Sequence, residues 1–267
     1  MPAPHEPTAA ASLPAPHDTG MLVQVRLGST RLPGKALLEA GGVPLLGHLI
    51  RRARCLAELG RYPLIVATTA RDAEIADFCA RLGIDCLMGE EEDVTLRLLD
   101  AAHKYGLARF VRLQGDDPLV CPYGILAALA AHDPASADVT TTAHLSGWPV
   151  GTASMVMETQ ALAAAYEDLA ARDPERLRRA FLPLDQGRLR IRPVHRVRPW
   201  DVTGAFFTID HPEDFALFRD IVDHLRPMER GYDFPLDDVY AAMAAGAVRP
   251  GNRHRHEPFP AMTERGS

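Results

Sequence analysis

Three short segments of this 267-residue chain carry residue types suited to binding a phosphate chain and a metal ion. The first, residues 23–38, reads VQVRLGSTRLPGKALL and joins an apolar run to a glycine-rich stretch with Arg31 and Lys35. Glycine leaves backbone N–H groups accessible and the two cations add positive charge, so this loop is suited to hold an anion. The other two segments, RLQGDDPLV (112–120) and FFTIDHPEDF (206–215), place Asp116 and Asp210 close behind apolar runs.

The glycine-rich loop matches neither of two common phosphate-binding motifs. A Walker A loop needs one residue fewer between Gly28 and Gly34, and a hydroxyl residue after its lysine where this chain has Ala36. A dinucleotide fingerprint, G-x-G-x-x-G, does not occur there. An ordinary strand-to-helix loop with solvent-exposed Arg31 and Lys35 is the competing interpretation. Only two of the 29 basic residues are lysines, which favours a specific need for an ammonium at position 35.

Each carboxylate segment also has a purely structural interpretation. Asp117 and Pro118 are typical turn residues and could start the next helix. Asp210 and Glu213 are spaced like a helix N-cap and its capping-box partner. Taken singly, neither segment therefore identifies a catalytic residue.

Apolar runs of strand length alternate with amphipathic segments, which predicts an α/β fold with a mostly parallel, mixed sheet flanked by helices. Strands are expected at residues 21–27, 64–69, 84–88, 109–114, 138–142, 153–157 and 204–210. Helices are expected at residues 43–59, 72–83, 93–105 and 211–225, with an alanine-rich helix after the strand at 153–157. Because the carboxyl ends of parallel strands share one edge of a sheet, the three segments are expected to meet there. Together they suit a nucleoside triphosphate with Mg²⁺, which takes one or two carboxylates and completes its shell with phosphates and water.

Composition limits the classes of function and the domain organisation. A net charge of -6 and a pI near 6.0 argue against nucleic-acid binding, and no apolar run reaches the ~20 residues of a membrane helix. The scattered cysteines suggest neither a zinc site nor disulfides, which favours a cytoplasmic protein. We expect a disordered leader over residues 1–20, one domain over 21–247 with an α+β portion around 145–203, and a polar tail over 248–267.

In their order along the chain, the three segments resemble the signature segments of the cytidylyltransferases that activate sugar acids, the family of CMP-KDO synthetase and acylneuraminate cytidylyltransferase. The string GSTRLPGK (28–35) and the acidic GEEEDVTLR (89–97) most resemble the spore-coat-polysaccharide branch. The resemblance covers residues 21–247 and implies a GT-A-like, Rossmann-like nucleotidyltransferase fold. It further implies transfer of CMP from CTP to a small anionic acceptor, and a homodimer built through the portion around 145–203.

The resemblance also implies roles for individual residues. Arg31 and Lys35 would bind the triphosphate and, with Asp116, act in catalysis, while Asp116 and Asp210 would hold Mg²⁺. The remaining residues expected to bind or lie near the nucleotide are Arg26, Gly28, Ser29, Thr68, Thr69 and Gln114.

One loop departs from the family pattern. Where spore-coat-type members show an Arg-Gly-Leu-Asp-like string, GWPVGTASMVM (147–157) places Val150, Thr152 and Ala153. The resemblance places this loop where the family meets its acceptor, so the acceptor is left open between a sugar acid and another small anion such as a phosphonate. The arginine-rich run 172–179 could bind the acceptor carboxylate or phosphonate, or could simply form a solvated helical face. Two further alternatives are a pyrophosphorylase acting on a sugar phosphate and a nucleotide-binding module without activity.

Overall fold

In the computed structural model, which describes residues 13–143, 147–173, 188–196, 206–252 and 255, seven strands form one sheet and two more form a short ribbon. The strands are β1 (Thr19–Gln24), β2 (Glu39–Ala40), β3 (Val43–Pro44), β4 (Leu64–Thr69), β5 (Asp85–Gly89), β6 (Arg109–Gln114), β7 (Val139–Thr141), β8 (Met155–Glu158) and β9 (Ile191–Pro193). The α-helices are α1 (Leu45–Ala53), α2 (Ala57–Gly60), α3 (Ala73–Arg81), α4 (Val94–Lys104), α5 (Pro122–Ala131), α6 (Thr159–Arg172), α7 (Pro212–Leu225), α8 (Pro227–Arg230) and α9 (Leu236–Ala244).

The predicted α/β architecture with a mostly parallel, mixed sheet is confirmed. The strand order is β5-β4-β1-β6-β8-β7-β9, and β5, β4, β1 and β6 are parallel neighbours. Strand β8 runs antiparallel to both β6 and β7, and β9 is parallel to β7. The register pairs Gln24 with Gln114, so β1 and β6 end side by side and the loops that follow them begin at the same edge.

Apolar residues fill three clusters on the two faces of this sheet and beside it. Helices α1, α3 and α5 pack on one face, and α4 and α6 on the other. Strand β4 is buried at all six positions, as expected for a central parallel strand covered on both faces. The third cluster joins Phe207 and Ile209 to α7 and α9. This cluster fixes the segment 206–210, which carries Asp210, against the rest of the domain.

Several boundaries differ from the sequence prediction. The helix expected over 43–59 is two helices, because Leu56 is extended (φ -91°, ψ 140°) and ends the helical path between α1 and α2. The described part of the expected strand 204–210, residues 206–210, is not a strand. Its backbone is held instead by single hydrogen bonds from Phe207 N to Val150 O (3.0 Å) and from Ile209 N to Asp116 O (2.8 Å).

Both ends of the domain extend further than expected. Within the predicted leader, Pro14 O accepts a hydrogen bond from the Tyr62 hydroxyl (2.8 Å), and β1 begins at Thr19. Within the predicted tail, Asn252 is fully buried and its Nδ2 donates to Phe206 O (2.7 Å) and to Asp214 Oδ1 (2.8 Å). The rest of the leader (1–12), residues 174–187 and 197–203 of the arginine-rich and α+β portion, and nearly all of the tail beyond 252 lie outside the described residues. No helix in the described ranges is long and apolar enough to cross a membrane.

Candidate active site

The ammonium of Lys35 is the point at which the three segments meet. Lys35 opens a short 3-10 helix (Lys35–Leu37) directly after Gly34, whose left-handed backbone (φ 68°) turns the loop back toward the sheet. Its Nζ donates to Asp116 Oδ2 (2.8 Å), Asp210 Oδ1 (3.0 Å) and Ile209 O (2.6 Å). An ammonium has three N–H donors, so all three are used by these contacts. The expectation that the segments converge at one edge of the sheet is met by contacts across 81, 174 and 175 residues of chain.

Lys35 is not the solvent-exposed loop lysine of the competing interpretation. The residue is 9% exposed. Burial by itself would lower the pKa of Lys35, but the Asp116 and Asp210 carboxylates outweigh that effect and raise the pKa above its ordinary value. Lys35 is therefore a fully charged, buried cation held between two carboxylates.

Arg31 completes a charge-balanced group of four side chains. Its Nη2 lies 2.8 Å from Asp210 Oδ1, and its side chain is 56% exposed. Two cations thus face two carboxylates, and Asp210 Oδ1 is shared by Arg31 and Lys35. Among the described residues, Asp116 Oδ1 and Asp210 Oδ2 accept no hydrogen bond from the protein. These two oxygens remain free to bind a further partner.

A buried carboxylate that the sequence analysis did not single out anchors the glycine-rich loop. Asp72 Oδ1 accepts from Leu27 N (3.1 Å), and Asp72 Oδ2 accepts from the hydroxyls of Thr68 (2.9 Å) and Thr69 (2.7 Å). Burial alone would raise the pKa of Asp72, but these hydrogen bonds outweigh it and lower that pKa. Asp72 stands at the N-cap position of α3 without capping it. The available signal was an aspartate three residues after a strand and one before a helix, and that spacing alone predicts only a cap.

A second, partly buried network connects the Asp116 loop to the Asp210 segment. Thr208 Oγ1 donates to Asp117 Oδ1 (2.8 Å), and Gln114 Nε2 donates to Asp117 Oδ2 (3.1 Å). Arg112 Nη2 donates to Gln114 Oε1 (3.1 Å), and Arg112 Nε donates to Gln24 Oε1 (2.8 Å). The network runs from the end of β1, across β6, to the residue two before Asp210.

Burial gives this network unusual electrostatics. Burial and the neighbouring charge of Asp116 raise the pKa of Asp117 to about 7. Burial lowers the pKa of Arg112 to about 9. The turn interpretation of Asp117 is therefore incomplete, because its carboxyl group links two loops as well. The next helix, α5, does not start at Asp117 or Pro118 but at Pro122.

Asp210 does not cap α7, contrary to the structural interpretation of its segment. The N-cap residue is His211, and the residue at the third helical position is Asp214 rather than Glu213. Asp214 Oδ2 accepts from the backbone N–H groups of Asp210 (2.9 Å) and His211 (2.7 Å). The helix is capped one residue later than the spacing suggested. The Asp210 side chain is therefore able to bind Lys35 and Arg31.

The remaining residues expected near a nucleotide lie around the same edge in different environments. Arg26 and Gly28 are exposed, and nothing lies within 4 Å of a Cβ built on Gly28. Ser29 Oγ accepts from Leu32 N (3.3 Å), which shapes the loop. Thr68 and Thr69 are buried beneath it with their hydroxyls on Asp72, so their place beside a nucleotide stays a prediction.

The loop that departs from the family pattern packs inward. Thr152 is fully buried, and its hydroxyl donates to Pro149 O (2.7 Å). At Gly151 (φ 87°), a Cβ would overlap the Thr208 backbone N and the Phe207 backbone carbonyl carbon. This loop therefore packs directly against the segment 206–210, and the Thr152 hydroxyl is used within the loop itself.

The residues present fit a Mg²⁺ ion that also binds substrate phosphates. No group of three or more His, Cys, Asp or Glu residues that could hold a metal occurs in the described part of the chain. Asp116 and Asp210, each with one oxygen that accepts no hydrogen bond from the described residues, supply the one or two carboxylates that Mg²⁺ uses alongside phosphates and water. A dedicated all-protein cage is not required for this ion.

Comparison with known proteins gives a family match over residues 21–191, described as cytidylyltransferase. A 3-deoxy-manno-octulosonate cytidylyltransferase of Afipia carboxidovorans is 34% identical over 133 residues, covering 48% of this chain and 52% of that relative. The spore coat polysaccharide biosynthesis protein SpsF of Bacillus subtilis is 30% identical over 150 residues, covering 55% of this chain and 61% of that relative. The chain thus spans about half to three fifths of these curated relatives.

Solved structures share the fold. A cytidylyltransferase from Leptospira borgpetersenii superposes with a TM-score of 0.76 at 21% identity, covering 87% of this chain and 97% of that one. A CMP:2-keto-3-deoxy-manno-octonic acid synthetase complexed with CTP superposes with a TM-score of 0.58 at 20% identity, covering 78% of this chain and 99% of that one. These likenesses confirm an α/β nucleotidyltransferase fold.

Proposed function

This chain belongs to the cytidylyltransferase family, and from that premise we propose that it transfers CMP from CTP to a small anionic acceptor and releases pyrophosphate. The observation that carries the proposal is the convergence of three distant segments on Lys35 Nζ, with contacts of 2.6–3.0 Å. Arg31 and Lys35 supply positive charge for a triphosphate, and Asp116 and Asp210 supply oxygens for its metal ion.

In the proposed reaction an acceptor oxygen attacks the α-phosphorus of CTP. A bond forms between that oxygen and the α-phosphorus, the bond to the bridging oxygen of the β-phosphate breaks, and pyrophosphate leaves with the electron pair. When the acceptor oxygen belongs to a hydroxyl group, its proton is released to solvent, whereas an ionised phosphonate oxygen has no proton to lose. Arg31 and Lys35 would hold the phosphates in line and neutralise charge on the leaving group. Positioning and charge neutralisation supply most of the rate effect in such chemistry.

Mg²⁺ is part of the proposal. Asp116 and Asp210 would hold it, and when bound it would neutralise phosphate charge and orient the α-phosphate. The glycine-rich loop, anchored by Asp72 through Leu27 N, would present its backbone N–H groups to the phosphates.

The acceptor is proposed to be a sugar acid or a related small anion. Support comes from relatives named for 3-deoxy-manno-octulosonate, a sugar acid, which match about half of their length. The loop with Val150, Thr152 and Ala153 departs from the family pattern, so the acceptor is not fixed within that class. A phosphonate is therefore retained as a test compound.

Three finer features complete the proposal. A homodimer built through the portion around 145–203 and the GT-A-like character of the fold follow from the family resemblance. A cytoplasmic location follows from the proposed use of CTP and from four free cysteines among the described residues.

Two measurements on the purified protein test the function. The first is the shift in melting temperature with each of the four nucleoside triphosphates and Mg²⁺, since ligand binding to the native state raises its stability in proportion to affinity. CTP is expected to give the largest shift. The second is pyrophosphate release from each triphosphate with a panel of sugar acids, phosphonates and sugar phosphates.

The outcomes separate the alternatives. Pyrophosphate release that requires CTP and a sugar acid or phosphonate supports the proposal. Pyrophosphate release that requires a sugar phosphate as the acceptor would identify a pyrophosphorylase instead. A CTP-dependent shift in melting temperature without pyrophosphate release for any acceptor would indicate a nucleotide-binding module. No shift with CTP at saturating Mg²⁺ would contradict the proposed function.

A further inference from the structure

We propose that Lys35 is the resident counter-cation of the Asp116–Asp210 pair, and that a divalent metal binds there only by displacing the Lys35 ammonium, which then becomes free for the triphosphate. The inference deepens the proposed function and rests on it for the identity of the phosphate ligand. In this proposal Lys35 binds first the two carboxylates and then the triphosphate.

The contacts of Lys35 show why two partners are needed. All three of its N–H donors are used, by Asp116 Oδ2 (2.8 Å), Asp210 Oδ1 (3.0 Å) and Ile209 O (2.6 Å). Its side chain is 11% exposed in this arrangement. Lys35 therefore has no donor left for a phosphate oxygen, although its position in the glycine-rich loop is otherwise suited to one.

Charge balance explains why Lys35 lies between the two carboxylates. Two carboxylates held on neighbouring loops repel each other, and a partly buried pair of like charges is costly without a compensating cation. The Lys35 ammonium bridges the pair, while Arg31 contacts only Asp210 and from a largely exposed position. Lys35 thus fills the role that a divalent metal would fill with nucleotide bound.

A cation on Asp116 and Asp210 must therefore compete with Lys35. Asp116 Oδ1 and Asp210 Oδ2 accept no hydrogen bond from the described residues and can make the first contact with an incoming metal. A divalent ion held by both carboxylates would lie beside the Lys35 ammonium, and the repulsion between the two cations favours departure of the ammonium. Lys35 has a flexible four-carbon stem and follows Gly34, so its side chain can leave the carboxylates while Lys35 stays in the loop. A metal–triphosphate complex offers both a cation for the carboxylates and phosphates for Lys35 and Arg31.

The first experiment measures Mn²⁺ binding to the protein without nucleotide, from the electron paramagnetic resonance signal of free Mn²⁺. Removing a neighbouring cation raises the affinity of a carboxylate for a positive ion by about tenfold or more. Lys35→Met is expected to bind Mn²⁺ at least about tenfold more tightly than wild type. Lys104→Met is the matched control, because Lys104 is exposed at the end of α4 and contacts neither carboxylate.

The second experiment uses wild-type protein and the fact that the chain has only two lysines, Lys35 and Lys104. Brief acetylation followed by peptide mapping gives the labelling of Lys35 relative to that of Lys104. Mn²⁺ is expected to increase this ratio, because displacement exposes the Lys35 amine, whose side chain is only 11% exposed between the carboxylates.

The results decide the inference independently of turnover. Tighter Mn²⁺ binding by Lys35→Met with an unchanged Lys104→Met supports it, even if no triphosphate is turned over and the proposed function fails. Equal or weaker Mn²⁺ binding, no Mn²⁺ binding by either protein, or an unchanged labelling ratio overturns it. If Lys35→Met does not fold, Lys35→Gln, which keeps hydrogen-bond donors but not the charge, replaces it with the same expected result.

Discussion

Thr208 donates its hydroxyl hydrogen to Asp117 Oδ1 at 2.8 Å, across 91 residues of chain. Beside it, Ile209 N donates to Asp116 O at 2.8 Å. These two hydrogen bonds join the loop after β6 to the segment before α7, and each of those carries one carboxylate of the site. The separation between Asp116 and Asp210 is thus fixed by their immediate neighbours rather than by the two carboxylates themselves.

Thr208→Val is expected to lower both the stability of the protein and its turnover, although valine and threonine have nearly the same volume. The substitution keeps the shape of the side chain but leaves Asp117 Oδ1 buried without its donor, which costs about 1–3 kcal/mol. Chemical denaturation measures the free energy of unfolding, and pyrophosphate release measures turnover. Thr208→Ser restores the hydroxyl and is expected to recover most of both, whereas equal losses in the two variants would remove the hydrogen bond from the explanation.

Asp72→Ala is expected to weaken CTP binding and to lower stability in a pH-dependent way. The hydrogen bonds from Thr69, Thr68 and Leu27 hold the folded pKa of Asp72 below its ordinary value of 3.8. A lowered carboxylate pKa gives stability that is fully present above the ordinary pKa and is lost as pH falls through the folded pKa. The difference in unfolding free energy between wild type and variant should therefore be constant above about pH 5 and shrink on acidification. A difference that grew on acidification would contradict this assignment.

Gly151→Ala is expected to be strongly destabilising and to impair the site. Gly151 has φ 87°, and an added Cβ would overlap the backbone of Phe207 and Thr208, so the Asp210 segment must shift. Backbone strain at positive φ costs about 1–2 kcal/mol, and the overlap should bring the total above about 3 kcal/mol. Gly246→Ala separates the two effects, because Gly246 has φ 71° and no atom within 4 Å of an added Cβ. Similar losses in both variants, measured by thermal denaturation, would show that strain alone acts.

Asp116→Asn is expected to keep the fold and to lose nearly all metal-dependent turnover. Asp116 is partly exposed, with 29% of its side chain accessible, so an amide is tolerated there. The amide removes a negative charge from the proposed metal site, and a loss of about 100-fold or more in kcat is expected. Asp220→Asn, at an exposed position of α7, is the control. Wild-type Mg²⁺-dependent rates in Asp116→Asn would remove Asp116 from the site.

The sequence predicted the architecture well because the alternation of buried strands and amphipathic helices is a local signal. The approach of Lys35 to Asp116 was predictable, since their loops follow the parallel neighbours β1 and β6 at one edge of the sheet. Asp210 was expected there on a strand, but hydrogen bonds from Phe207 N to Val150 O and from Ile209 N to Asp116 O hold its segment there instead. Asp72 and Asp117 were missed as site residues, because their positions in the sequence are typical of a helix cap and of a turn, and their long-range partners cannot be read from spacing. The cap of α7 was assigned one residue too early for a related reason, since Asp210–Glu213 and His211–Asp214 both have the cap spacing.

The buried side chain of Asn252 has a practical consequence for anyone shortening this chain. Its amide nitrogen donates to both Phe206 O and Asp214 Oδ1. A residue 42 positions beyond Asp210 therefore stabilises the segment that carries Asp210. A truncation that ends at 247, where composition alone would set the boundary, deletes Asn252 together with the buried Val248. An expression fragment that ends after Arg255 keeps both, as well as the Arg255–Glu213 ion pair.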